Sequence, residues 1–66
     1  MYQIIESSEG RTAKLDECRT KREAVEKMSK AARAARVWGI RCRVWVEKDG
    51  AMIESRTTTG SKYPRA

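Results

Sequence analysis

The hydrophobic pattern changes period twice along the chain. At the start, Tyr2, Ile4 and Glu6 alternate with Gln3, Ile5 and Ser7, and a period of two is the signature of a strand. Ser-Ser-Glu-Gly at 7–10 supplies turn chemistry, with Gly10 free to take φ > 0. Alternation resumes through Thr12, Ala13, Lys14 and Leu15. A four-residue loop predicts Glu6 opposite Arg11, Ile4 opposite Ala13 and Tyr2 opposite Leu15. That register gathers Tyr2, Ile4, Ala13 and Leu15 on one face. A different loop length turns Ile5 inward instead.

The period then becomes helical. Thr20-Lys-Arg-Glu23 is a capping box, in which the Thr side chain accepts from the backbone at Glu23 and Glu23 reaches back. Ala24, Val25, Met28, Ala31, Ala32 and Ala35 fall within an arc of about 120° at 100° per residue. Arg22, Glu26, Lys30 and Arg33 take the other side. Gly39 suits a left-handed C-terminal cap, with Ile40 packing back on Ala35. These signals predict a helix over about 20–38, with Trp38 covering the helix–sheet junction. A buried face made mostly of alanine lets the helix lie close to a sheet but buries little area.

The period of two returns in Ile40, Cys42, Val44 and Val46, which alternate with Arg41, Arg43, Trp45 and Glu47. Asp49-Gly50 is a two-residue type I′ signal. It predicts Lys48 opposite Ala51, Val46 opposite Ile53, Trp45 opposite Glu54 and Arg43 opposite Arg56. After Thr57 the periodicity stops, which predicts a single domain over 1–57 and a flexible tail over 58–66. The fold class is α+β in the order ββαββ: an antiparallel four-stranded sheet with one helix packed on one face. Strand order is not legible. The uncovered face is expected to show Gln3, Ile5, Thr12, Lys14, Arg41, Arg43, Trp45, Glu47, Met52, Glu54 and Arg56. Antiparallel sheets tolerate one wet face, but Ile5, Trp45 and Met52 together make an unusual apolar exposure.

Composition narrows the class. The chain has 66 residues, and eight of its apolar residues are alanine. A domain of this size buries only about 60% of the surface its unfolded chain exposes. No run approaches the roughly 18 apolar residues of a membrane span, and no N-terminal stretch reads as a signal peptide. These features predict a cytoplasmic protein. With two cysteines and no histidine, a typical four-ligand zinc site cannot be built from one chain.

Charge is localised. The net charge is +6. Residues 1–26 carry five basic and six acidic side chains, and residues 47–66 carry four and three. Residues 27–46 carry Lys27, Lys30, Arg33, Arg36, Arg41 and Arg43 with no acid. Such a field attracts phosphate or an acidic protein surface. Cations in the last helical turns also complement the helix dipole. That accounts less well for Arg41 and Arg43, which lie on a strand. Arg41, Arg43 and Trp45 share one face by their spacing. An indole beside guanidinium groups can stack on a base or anchor a protein interface.

Catalytic chemistry is sparse. Cys18 and Cys42 match no redox or metal spacing. Cys42 falls on the inward face as a buried thiol. Cys18 precedes the helix, whose N-terminus lowers a neighbouring thiol's pKa, yet no histidine stands ready as its base. Asp16-Glu17 is the only adjacent carboxylate pair, and the four glycines are dispersed rather than gathered in a phosphate loop. The expectation is a non-enzyme with no cofactor and no metal.

The opening strand Tyr2 to Glu6, the helix from Thr20 to Trp38, and the hairpin from Arg41 to Arg56 around Asp49-Gly50 give the first 57 residues a layout. It resembles that of small phage-encoded accessory proteins, including anti-CRISPR inhibitors. The resemblance is one of size, element order and charge style, and carries no residue roles. It implies a stoichiometric inhibitor that docks on a bacterial nucleic-acid-handling complex and occupies its nucleic-acid site, in the host cytoplasm. The alternative is a regulator that binds DNA or RNA directly. Either way the expected contact residues are Lys27, Lys30, Arg33, Arg36, Arg41, Arg43, Trp45 and Arg56. A homodimer through the open sheet face is a third arrangement.

Overall fold

The computed structural model describes residues 1–59. Among these described residues one helix, α1 (Lys21–Trp38), forms where the period is 3.6. Thr20 is its N-cap, in extended conformation, and its hydroxyl accepts from the Glu23 amide at 3.2 Å. The Glu23 carboxylate reaches back to the Thr20 hydroxyl at 3.5 Å. At the other end Gly39 takes φ 72°. Its amide donates to the Arg36 carbonyl, and the Ile40 amide donates to the Ala35 carbonyl at 2.8 Å, which completes a Schellman ending.

Four strands, β1 (Tyr2–Ser8), β2 (Arg11–Cys18), β3 (Arg41–Lys48) and β4 (Ala51–Thr59), make one antiparallel sheet in the order β2-β1-β3-β4. The element order is ββαββ, as the sequence predicts. The helix covers one face, lying mainly over β3 and β4 and reaching β2 least. Among the described residues no helix is long and apolar enough to cross a membrane.

Both hairpins close through two-residue turns with positive φ at both central residues, Glu9-Gly10 and Asp49-Gly50, the geometry that matches strand twist. The second turn is the one predicted. The first replaces the expected four-residue loop and shifts the register: Ser8 faces Arg11 and Ile5 faces Lys14. A bulge at Leu15 then sets Ile4 opposite Asp16 and Tyr2 opposite Cys18. Leu15, expected inside, is 45% exposed, and Ala13 is exposed too. Cys18 takes the inward position beside Tyr2 and is buried.

A second bulge, at Ile53, offsets β4 by one residue. Val46 pairs with Glu54, Trp45 with Ser55, Val44 with Arg56 and Arg43 with Thr57. Cross-strand partners share a face, so Glu54 and Arg56 stand on the helix side, not on the open face as predicted. β4 also runs past the predicted domain edge at 57. Thr58 is buried opposite Cys42, accepts from the Cys42 amide at 3.1 Å and donates to the Ile40 carbonyl. The rest of the expected tail, 60–66, lies outside the described residues.

The core lies between the helix and the central strands. Its large, fully buried side chains are Ile4, Met28, Val44 and Val46, joined by Cys18, Cys42 and three helix alanines, Ala24, Ala32 and Ala35. Val25 and Ala31 are half-buried at its margin. Trp38 does not cover the helix–sheet junction: it is 75% exposed. At 100° per residue it sits about 60° from Ala35, on the flank that overhangs β2, where the helix has least sheet beneath it.

Candidate nucleic-acid interface

The registers place the open sheet face in rows across the strands. Central strand β3 aims Arg41, Arg43, Trp45 and Glu47 outward, because side chains two apart share a face. Arg43 lies between Ser7 of β1 and Thr57 of β4. Trp45 lies between Ile5 and Ser55, with Lys14 of β2 beyond Ile5. Glu47 lies between Gln3 and Met52, with Glu17 beyond Gln3. The face therefore grades from guanidinium and hydroxyl groups at one end, through an indole, to carboxylates at the other. Lys14 is held by Glu17 at 3.1 Å.

The expected site residues divide into three groups. Arg41, Arg43 and Trp45 share the open face, and both arginines line a shallow groove with Ser7, Glu9 and Thr57. Arg33 and Arg36 stand on the helix flank above β4, where they line a second groove with Arg56 and Thr57. Arg56 joins them because the Ile53 bulge rotates it to the helix side; it donates to the Ser55 carbonyl at 3.0 Å and reaches Glu54 only at 3.9 Å. Thr57 belongs to both grooves, so the last residues of β4 run between two arginine sets. Lys27 and Lys30 stand apart, on the opposite helix flank beside Leu15, Ala31 and Ala34.

Lys27 is committed elsewhere. Its ammonium meets the Asp16 carboxylate at 2.6 Å. That hydrogen bond, followed by the Glu17 amide at 2.7 Å, holds Asp16 below its ordinary pKa and raises that of Lys27. In contrast, among the described residues Lys30, Arg33, Arg36 and Arg43 meet no carboxylate within 4.0 Å. The helix C-terminus accounts for part of the Arg36 placement, since its carbonyl end attracts cations. It does not account for strand arginines on the far face.

Cys18 and Cys42 are both buried and free. Cys18 was expected to feel the helix N-terminus, but burial is the larger effect and pushes its pKa up. The sequence pattern gave no sign of Ser7, Ser55 and Thr57 as neighbours of Arg43 and Trp45, since the Glu9-Gly10 turn and the Ile53 bulge put them there. Comparisons with protein-family models, with curated proteins and with solved structures find no match.

Proposed function

We propose that this chain is a non-enzymatic nucleic-acid-binding protein that grips the phosphate backbone with the arginines around the end of β4. The observation that carries this is the convergence of Arg33, Arg36 and Arg56 on one side of β4 and Arg41 and Arg43 on the other. Of these, Arg33, Arg36 and Arg43 meet no carboxylate within 4.0 Å among the described residues, and a bound polyanion compensates such charges. Guanidinium forks suit phosphate oxygens in particular.

The sign of the charge bears on the alternatives. A protein groove built to hold nucleic acid is itself basic, and a +6 chain is a poor plug for it. The phage-inhibitor reading, docking on a bacterial nucleoprotein complex, keeps its support where the contacted surface is the bound nucleic acid or an acidic protein face. The Ile5, Trp45 and Met52 group favours that second reading, having the composition of an interface anchor.

The test is fluorescence anisotropy with labelled DNA and RNA between about 50 and about 200 mM salt. Replacing Arg33, Arg36 and Arg43 with Gln is expected to flatten the plot of log K against log salt by about 2 to 3 units, at roughly 0.7–0.9 for each phosphate no longer neutralised. An unchanged slope in the triple variant, or wild-type binding that vanishes by the upper salt, overturns the proposal.

A further inference from the structure

The open face carries a more specific reading, which rests on the nucleic-acid proposal above. We infer that the ligand is single-stranded and crosses the open sheet face, with one base stacked on Trp45 and an adjoining phosphate at Arg43.

Trp45 and Trp38 differ in a telling way. Trp38 is 75% exposed. Trp45 is only half-buried, although among the described residues no second layer covers its face. An indole standing out from an uncovered sheet is mostly wet. Burial on such a face comes from neighbours on the sheet itself, which an indole reaches by lying along them and leaving a ring face to solvent. Its row supplies the setting: Ile5 on one side and the small Ser55 on the other. An upturned ring face on a flat support is a stacking platform for any base.

The next row toward the basic end is Ser7, Arg43 and Thr57, one guanidinium between two hydroxyls. Side chains two apart on a strand are about 7 Å apart, within the span of one nucleotide. The opposite row carries Glu47, which repels phosphate, and Glu17, whose carboxylate is taken up by Lys14. The strand must therefore leave Trp45 toward Arg43, and the footprint on this face is short. A duplex cannot use the platform. Its bases are stacked inside, and its major groove admits a helix or a two-stranded ribbon, not a four-stranded face.

The test uses Trp38→Phe, which leaves Trp45 as the sole indole of a chain with two tryptophans. An oligo(dT) of about ten nucleotides and a duplex of equal length are titrated at about 150 mM salt. Emission is expected to quench with oligo(dT) and to stay unchanged with duplex. Trp45→Ala in the wild-type background is expected to lose at least about fivefold in affinity for oligo(dT) and nothing for duplex. Trp45→Phe, which keeps a ring face and guards against misfolding, is expected to retain most of the binding. Equal affinity for both ligands with unquenched emission overturns the stacking inference and leaves the phosphate reading standing. Binding to neither ligand overturns both. A light-scattering dimer whose Trp45 emission is already buried assigns the face to a second copy and overturns the inference.

Discussion

Removing one side chain tests how the helix is held. Met28 is the only large side chain that α1 buries completely; its companions are Ala24, Ala32 and Ala35. The sheet answers with Ile4, Val44 and Val46. Met→Ala in a core costs about 2–5 kcal/mol, the larger values arising where the site cannot collapse. Here the residues one turn either way, Ala24 and Ala32, are fully buried and nearly so, and have no side chain to swing into the void. The cost therefore belongs in the upper part of the range. Against that stands a total stability of about 3–10 kcal/mol for a chain of this length. Met28→Ala is expected to lose half or more of its stability in urea, followed by circular dichroism, with the m-value unchanged. Met28→Leu, close in volume, is expected to cost less than about 1.5 kcal/mol. A loss below about 1 kcal/mol for Met28→Ala refutes the reasoning, because the helix would then be seated by something other than this core.

Two further outcomes follow from local geometry. Gly39 holds φ 72°, so Gly39→Ala is expected to cost about 1–2 kcal/mol, and a thermal melt that matches the wild type refutes the need for a left-handed cap. Asp16 has its pKa lowered chiefly by the Lys27 hydrogen bond. Its stabilising effect is thus full above the ordinary carboxylate pKa and fades as pH falls through the lower folded value. Melts of Asp16→Asn from about pH 7 to about pH 2 are expected to show a shallower acid loss than wild type, and parallel curves would show the pair to be idle. Because Lys27 has its pKa raised by the same contact, its share disappears only as strongly alkaline pH passes the folded value.

The elements were legible where one residue type answers one backbone need. Thr20 with Glu23 marked the start of the helix, Gly39 its end, and Asp49-Gly50 the second turn. The first turn was hidden because Glu9, at φ 51°, is an unusual residue for a left-handed position. Leu15 and Ile53 lie at bulges with no glycine to signal them. Each moves its strand by one residue, and a one-residue slip exchanges the two faces. That is how Cys18 went in and Arg56 crossed to the helix side, whereas Leu15 stays on the helix side beside Ala31 and Ala34 and is exposed because the helix scarcely covers β2. For the same reason the arginines were recognisable as a charge field but not as two sets. Trp38 misled because a large aromatic near a helix end suggests core, whereas its angle puts it over the poorly covered flank at β2.

The bulge at Ile53 ties the fold to the proposed site. A regular ladder from the Asp49-Gly50 turn would set Glu54 beside Trp45 and Arg56 beside Arg43. A carboxylate would then stand at the edge of the indole, and the helix-side groove would lose its third arginine. With one extra residue in β4, Ser55 and Thr57 take those places, and Arg56 joins Arg33 and Arg36. The face keeps an indole between neutral neighbours on β1 and β4, and a guanidinium between hydroxyls. The same bulge disrupts an edge strand, as the Leu15 bulge does at the other edge, and bulged edges resist pairing with another sheet. Both edges are thus blunted, and among the described residues the open face stays uncovered, the face on which we propose the nucleic acid lies.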